Sequence, residues 1–392
     1  MSKIIMHIDL NCFFATAETI VHPEYEGKPL IVAGNGRRGI VSTANYEARA
    51  FGIHSAMPTY QAKELCPNVI ITPGHFELYE RLSKEFFDYV RHYSPIIQVA
   101  SIDECFVDMT EPLKNQKNPY QYLKDLQNGL YEKTKLKCSI GIAPTKFLAK
   151  MASDMKKPMG ITIIRRKDVK KMIYPLPIES MFGIGKKTAP KLRDIGVDTI
   201  GSLKIVDQEK LKKQLGKFYY TCMEWIDGYG SDVVETEVAD PKSIGTSRTF
   251  DHDTTDYEEI KSMIKYLSKD VSERAQEENK LGNTIQITIK TIDFRLHTKC
   301  MTFREPFNDY ETILEKALLV YDKLNNQEPI RLVGVTLQNL ISKNEIKLQM
   351  SLFNYQIHEE ESKTKLLIND LNRKLKKDVF KRASEAKKPN SN

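Results

Sequence analysis

The chain has 392 residues, a formal net charge of +7, 41% apolar and 28% charged residues, a length and balance that describe a globular protein of several domains and exclude a disordered or fibrous one. The mild basic excess suits a polyanionic partner without requiring one. Six cysteines, at positions 12, 66, 105, 138, 222 and 300, form no C-x-x-C pair; this argues against a disulfide framework or a zinc site and predicts free thiols in a reducing cytoplasm, while an N-terminal apolar run broken by His7 and Asp9 predicts neither a signal peptide nor a membrane span.

In chain order, residues 1–12 read as a strand and 13–22 as a helix, followed by an insertion that runs to about residue 78 and ends near Thr72-Pro73-Gly74. The segment Glu77 to Tyr93 has a helical pattern, strands follow near 96–110 and 137–143, and a helix starts at Pro144-Thr145-Lys146-Phe147. A strand, helix, acidic hairpin, helix and strand of this kind fit a small α+β layer. Past about residue 165 the pattern turns wholly helical, and Met181-Phe182-Gly183-Ile184-Gly185-Lys186-Lys187-Thr188 with Lys191-Leu192 looks like a helix-hairpin-helix, with a weaker copy at Leu211 to Lys217. A polar stretch over about 231–242 reads as a tether. Beyond it, a strand over Ser243 to Phe250, a helix with Ile260, Met263, Ile264, Leu267 and Val271 on one face, an alternating strand through Ile285, Ile287 and Ile289, a strand around Cys300 to Phe303, a helix with Ile313, Leu314, Ala317, Leu318 and Tyr321, and a strand through Val333, Val335 and Leu337 make a β-α-β-β-α-β set.

Two acidic sites stand out: Met6-His7-Ile8-Asp9-Leu10 and Ala100-Ser101-Ile102-Asp103-Glu104. Each puts carboxylates at the end of a buried-strand pattern, where an unpaired negative charge is costly. Two Mg²⁺ ions held by oxygen ligands about 3.5–4 Å apart would explain both, in an in-line phosphoryl displacement. Successive strand residues point to opposite faces, so Asp103 and Glu104 can serve one cluster only from a hairpin turn or bulge. Taken singly, each site also reads as an ordinary acidic turn or strand end.

Their company is more specific. Ile40-Val41-Ser42-Thr43-Ala44-Asn45-Tyr46-Glu47-Ala48-Arg49-Ala50-Phe51-Gly52, Ser139-Ile140-Gly141-Ile142-Ala143 and Asp154-Met155-Lys156-Lys157-Pro158-Met159-Gly160 follow in order. With the two acidic sites, these motifs resemble the Y-family translesion DNA polymerases, the group of the DNA polymerase IV, UmuC and UvrX types, through roughly the first 340 residues. The resemblance implies an α+β multidomain fold shaped as a right hand: palm 1–12 and 79–164, fingers 13–78, thumb 165–232, tether 233–242, little finger 243–341 and a tail 342–392. It implies a DNA-directed DNA polymerase of low fidelity that extends primers across damaged template.

Laid on this sequence, the resemblance makes Asp9, Asp103 and Glu104, with the carbonyl of Leu10, the ligands of two Mg²⁺ ions. Thr43, Tyr46, Arg49 and Lys157 would hold the incoming deoxynucleoside triphosphate, arginine being suited to phosphate by its planar fork. Phe14 would be the steric gate that crowds a ribose 2′-hydroxyl; many relatives carry tyrosine there, and phenylalanine keeps the bulk without the hydroxyl. Asn11-Cys12 after the first acidic site also departs from the commonest pattern. Gly183, Gly185 and Lys186 would grip phosphates of the primer-template DNA, and Arg248, with Thr288 and Lys290 on a polar sheet face, would lie along the duplex. Gln349, Leu352 and Phe353 have the spacing of peptides that dock on the bacterial sliding clamp; Leu367, Leu371 and Leu375 read as a basic amphipathic helix of unknown partner. The implied protein is a monomer. Two alternatives stay open: a catalytically inactive DNA-binding scaffold recruited to the clamp, which has no need of Asp9, Asp103, Glu104, Tyr46, Arg49 and Lys157 together, and a nucleotide cyclase, which has no duplex for a helix-hairpin-helix to hold.

Overall fold

The structure, a computed structural model, describes residues 3–34, 36–237, 239–324 and 326–345. It divides into two compact units, Met1–Asp240 and Pro241–Asn392.

In the first unit, β1 (Ile5–Leu10) leads into α1 (Phe13–Val21). A small three-stranded sheet follows, built from β2 (Leu30–Ala33), β3 (Val41–Ala44) and β4 (Ile70–Thr72), with the short helices α2 (Tyr46–Arg49) and α3 (Thr59–Leu65) between β3 and β4. It has a core of its own around Ile31, Val41, Ile53 and Ala62. The chain then forms α4 (Phe76–Arg91), the hairpin β5 (Ile97–Val99) and β6 (Glu104–Asp108), α5 (Thr110–Lys114), α6 (Pro119–Thr134), β7 (Cys138–Ala143), α7 (Lys146–Asp154) and β8 (Ile161–Ile163). These strands make a sheet of order β5-β6-β1-β7-β8, with β1 in the centre and antiparallel to both neighbours.

Every residue of β1 is buried because both faces of the sheet are covered. Met6, Ile8 and Leu10 join Phe86, Leu126 and Leu130 of α4 and α6, whereas Ile5 on the opposite face joins Phe147, Leu148 and Met151 of α7. The period-2 alternation therefore carries His7 and Asp9 to the α7 face. Gly141, paired with His7 across β7, lets α7 lie directly on the sheet: a Cβ there would come within 2.0 Å of the Ala149 carbonyl oxygen and 2.4 Å of the Ser153 nitrogen. Gly141→Ala is expected to cost about 3 kcal/mol, the upper end for overpacking, because two backbone atoms must yield; the shift in urea midpoint measures it.

After β8, α8 (Val169–Met172), α9 (Ala189–Arg193), α10 (Gln208–Leu215) and α11 (Phe218–Ile226) are short, joined by 3₁₀ turns and one bridge between Pro177 and Thr199. The segment is thus less regular than its wholly helical pattern suggested. Ile173, Leu192, Leu203, Leu211 and Ile226 continue the apolar core of α7, and Trp225 stacks on Phe147 with ring centroids 4.5 Å apart. The first part of the expected tether is pinned: Lys146 donates its N–H to Ser231 and Glu235 donates its own to Gln98.

The second unit runs β9 (Ser243–Thr254), α12 (Tyr257–Glu277), β10 (Lys280–Thr291), β11 (Leu296–Phe307), α13 (Tyr310–Asp322), β12 (Ile330–Gln338) and a two-residue β13 (Ile341–Ser342). The β-α-β-β-α-β set has the sheet order β11-β10-β12-β9. Ile285, Ile287 and Ile289 with Val333, Val335 and Leu337 form the face that packs on α12 and α13. Arg248 pairs with Val333, itself paired with Ile289, so Arg248 lies on the helix-bearing face at the edge strand, over the Tyr266 ring of α12 (5.8 Å), and not with Thr288 and Lys290 on the open face. Strand alternation is the reason: Ser247 and Thr249 are the β9 residues that share the open face. Among the described residues no helix is long and apolar enough to cross a membrane. Gln349, Leu352 and Phe353, and the basic leucine-spaced segment after them, lie outside the described residues.

Candidate active site

The two acidic sites meet across the central sheet. Asp9 and Glu104 are directly opposed on β1 and β6, so strand geometry holds both carboxylates on the α7 face. Asp103 takes the other path. It ends the turn over residues 100–103, where its carboxylate accepts from Ser101 Oγ at 2.5 Å and its backbone carbonyl accepts the Leu10 N–H at 2.9 Å. The residues whose ligand atoms converge are His7, Asp9 and Glu104, all within 4.8 Å of one another; the Asp103 side chain is outside that group.

Two lysines complete this arrangement: Lys157, expected from the resemblance to hold the triphosphate, and Lys150, which was not anticipated. Lys150 of α7 places Nζ 2.5 Å from Glu104 Oε2 and 3.2 Å from Asp9 Oδ2. Lys157 reaches Asp9 Oδ1 at 2.7 Å and Asp154 Oδ1 at 2.7 Å. Behind Glu104, His7 is fully buried; its Nδ1 lies 2.8 Å from Ser153 Oγ and its Nε2 3.4 Å from Glu104 Oε2. Burial works to raise the Glu104 carboxyl, but His7 and Lys150 outweigh it and hold the group well below the usual carboxylate range. Burial likewise pulls Lys150 and Lys157 down, and the facing carboxylates, Asp9 first, push both above the ordinary lysine value. Burial raises Asp9, against the pull of Lys157 and Lys150. A signal for Lys150 existed in the sequence: Lys150, Ser153 and Asp154 recur at i, i+3 and i+4, a polar stripe on a helix otherwise apolar toward a sheet. His7 was legible too, two residues before Asp9 on the same strand face.

The proposed gripping residues are set by a cap. Asn45 Oδ1 accepts from the N–H groups of Ala48 and Leu30, both at 2.9 Å, and its Nδ2 donates to the Lys28 carbonyl at 2.8 Å. It is the N-cap of α2, one turn long, and fixes Tyr46 and Arg49 there. Arg49 Nε donates to the Ala44 carbonyl and its guanidinium lies 5.1 Å from the Tyr46 ring. Burial beside Cys12 pushes the Tyr46 hydroxyl up to about 12. Thr43 is half-buried on β3, paired with Val32.

Of the adjacent phenylalanines, Phe13 is core, 3% exposed, while Phe14 is partly exposed. The Phe14 ring stacks on Tyr79 at 4.4 Å and meets Phe76 edge-on at 6.0 Å. Tyr79 in turn donates its hydroxyl to the fully buried Glu18, which His75 also contacts.

In the Gly-Ile-Gly loop, Gly183 has φ +89 and Phe218 lies where a Cβ would be, whereas Gly185 faces open space. Ile184, Thr188 and Ala189 spend their N–H groups within the turn; those of Gly183, Gly185 and Lys186 find no backbone acceptor among the described residues.

Comparison with known proteins bears on what this arrangement is. Residues 8–154 match the impB/mucB/samB family, residues 241–352 its C-terminal domain and residues 166–197 its helix-hairpin-helix motif. The chain belongs to the impB/mucB/samB family, the Y-family DNA polymerases. As a member of that family it is a DNA-directed DNA polymerase. It is 38% identical over 392 residues to a DNA polymerase IV of Bacillus velezensis, covering 99% of this chain and 94% of that one. It is 40% identical over 375 residues to a DNA polymerase IV of Oceanobacillus iheyensis, covering 95% and 89%. Among solved structures, the Y-family DNA polymerase chimera Dbh-Dpo4(243-245)-Dbh aligns with a TM-score of 0.75 and 30% identity over 86% of this chain and 99% of the chimera. The Y-family fold accounts for the palm-like sheet, the helix-hairpin-helix and the second α+β unit together.

Proposed function

We propose that this translesion polymerase extends primers by metal-assisted nucleotidyl transfer at the Asp9–Glu104 pair, with low fidelity and across damaged template. The observation that carries the reading is the direct opposition of Asp9 and Glu104 on adjacent strands of a buried sheet. The carboxylate oxygens of Asp9 and Glu104 suit a hard cation, while the buried His7 lies against Glu104 and supplies no oxygen ligand. Asp9, Glu104 and the Leu10 carbonyl would hold two Mg²⁺ ions, with Asp103 joining by turning from Ser101. When bound, the ions activate the primer 3′-hydroxyl and stabilise the departing pyrophosphate.

The chain's own residues do the rest. Arg49, Tyr46 and Thr43 from the fingers and Lys157 from the palm bind the triphosphate; Lys157 exchanges its contacts with Asp9 and Asp154 for phosphate oxygens. Phe14 closes the sugar side of the pocket. The free N–H groups at Gly183, Gly185 and Lys186 take DNA phosphates without regard to sequence. Arg248, at the sheet edge, meets the backbone as a single charge. Gln349, Leu352 and Phe353 dock a monomeric enzyme on the sliding clamp; alanine at all three is expected to abolish stimulation by clamp and leave clamp-free extension unchanged.

Primer extension with Mg²⁺ and all four deoxynucleotides, on undamaged and lesion-bearing templates, tests the proposal beside Asp103→Ala. The expected result is extension past lesions by the parent protein, none by the variant, and equal DNA affinity. Substantial extension by Asp103→Ala removes that residue from the metal set and leaves Asp9 and Glu104 to carry it.

A further inference from the structure

Lys150 holds an unusual place in this site. Its side chain is only 15% exposed, and its ammonium bridges one oxygen of Glu104 (2.5 Å) and one of Asp9 (3.2 Å). These are oxygens that a cation shared by the two carboxylates would take. Neither wall can retreat, because β1 and β6 fix the carboxylates and α7 is pressed onto the sheet over Gly141. An ammonium and a divalent ion therefore compete for the same ligands and repel each other at contact distance. The side chain has an alternative partner on its own helix: Asp154 Oδ2 lies 3.8 Å from Nζ. A flexible four-carbon stem can make that move without disturbing the backbone.

We infer that Lys150 is a positioning residue that competes with the metal for the Asp9–Glu104 oxygen pair. It keeps the two carboxylates converged and charge-balanced, and it withdraws toward Asp154 as a divalent ion enters. The inference rests on the metal assignment made above. Its consequence is that Lys150 lowers intrinsic metal affinity, the opposite of what a residue that merely braces the site would do.

The experiment is Mn²⁺ binding to the full chain without DNA or nucleotide, read from the electron paramagnetic resonance signal of free Mn²⁺ at constant salt. Lys150→Met keeps the stem and removes the charge; it is expected to bind Mn²⁺ at least tenfold more tightly and to gain more in Tm on Mn²⁺ addition than the parent. Lys156→Met removes a charge from an exposed position six residues further along the chain, and a change below twofold there shows that overall charge is not the cause. Lys150→Arg grips carboxylates with two prongs and is expected to bind Mn²⁺ several-fold more weakly. Equal or weaker binding by Lys150→Met overturns the inference, as does equal or tighter binding by Lys150→Arg, a readout that stands if the methionine protein does not fold. Asp9→Asn separates the two levels: if it removes Mn²⁺ binding while both Lys150 variants match the parent, this inference fails and the metal assignment stands; if it leaves Mn²⁺ binding unchanged, both fail.

Discussion

Asp9→Asn is expected to lower primer extension by about a thousandfold or more, equivalent to about 4 kcal/mol of transition-state stabilisation, with DNA affinity held within about twofold. The asymmetry follows from where the residue sits. Asp9 lies one residue from the end of the central strand of the palm-like sheet and is opposed to Glu104 on one side and Ser139 on the other. Asparagine keeps the shape but removes the charge from the pair that would hold the metal, and leaves Lys157 and Lys150, at 2.7 and 3.2 Å, facing a neutral group. The proposed DNA grips lie elsewhere, in the helix-hairpin-helix loop and the second unit, so binding is spared. Single-turnover extension and fluorescence anisotropy on the same primer-template measure the two quantities. Retention of a tenth of the parent rate would remove Asp9 from the chemistry; a parallel loss of DNA binding would mean that the substitution had disturbed the sheet.

Phe14→Ala is expected to shift the ratio of deoxyribonucleotide to ribonucleotide incorporation by about a hundredfold toward ribonucleotides, about 2.7 kcal/mol of discrimination. The structure separates this residue from its neighbour in a way that makes the prediction sharp. Phe13 fills the core beneath α1, and Phe13→Ala is expected to act as a cavity mutation costing about 3–5 kcal/mol of stability. Phe14 is partly exposed and held by its stack on Tyr79 and its edge contact with Phe76. Truncation there would open space on the sugar side of the proposed pocket and cost less in packing than loss of Phe13. Competition between matched nucleotides on one template gives the ratio, and a thermal melt of both variants gives the cost. Unchanged sugar selectivity in a folded Phe14→Ala protein would take the gate role from this residue.

How much of this was legible without the fold differs residue by residue. The period-2 alternation of Ile285, Ile287 and Ile289 marked a half-buried strand, and β10 is one. The need for Asp103 and Glu104 to sit at a hairpin turn followed from strand geometry, and the turn over 100–103 between β5 and β6 is that hairpin. Sequence alone grouped Arg248 with Thr288 and Lys290 as one polar face, because residue type was visible and strand register was not. Only the pairing of Arg248 with Val333 puts it on the other side.

The chain's order of motifs was enough to indicate the family and the α+β class and to single out Asp9, Asp103 and Glu104, because these depend on residue type and on the order of short motifs; that Asp9 and Glu104 oppose each other while the Asp103 side chain turns away came from strand pairing. Which partners those carboxylates have was decided by tertiary structure. Lys150 and Lys157 lie 141 and 148 residues from Asp9; Lys150 is brought to it by α7, which Gly141 lets close onto the sheet, and Lys157 by the turn that follows α7. Local periodicity carries no information about which helix face meets which strand; register, side-chain direction and the close approach at a single glycine supply it.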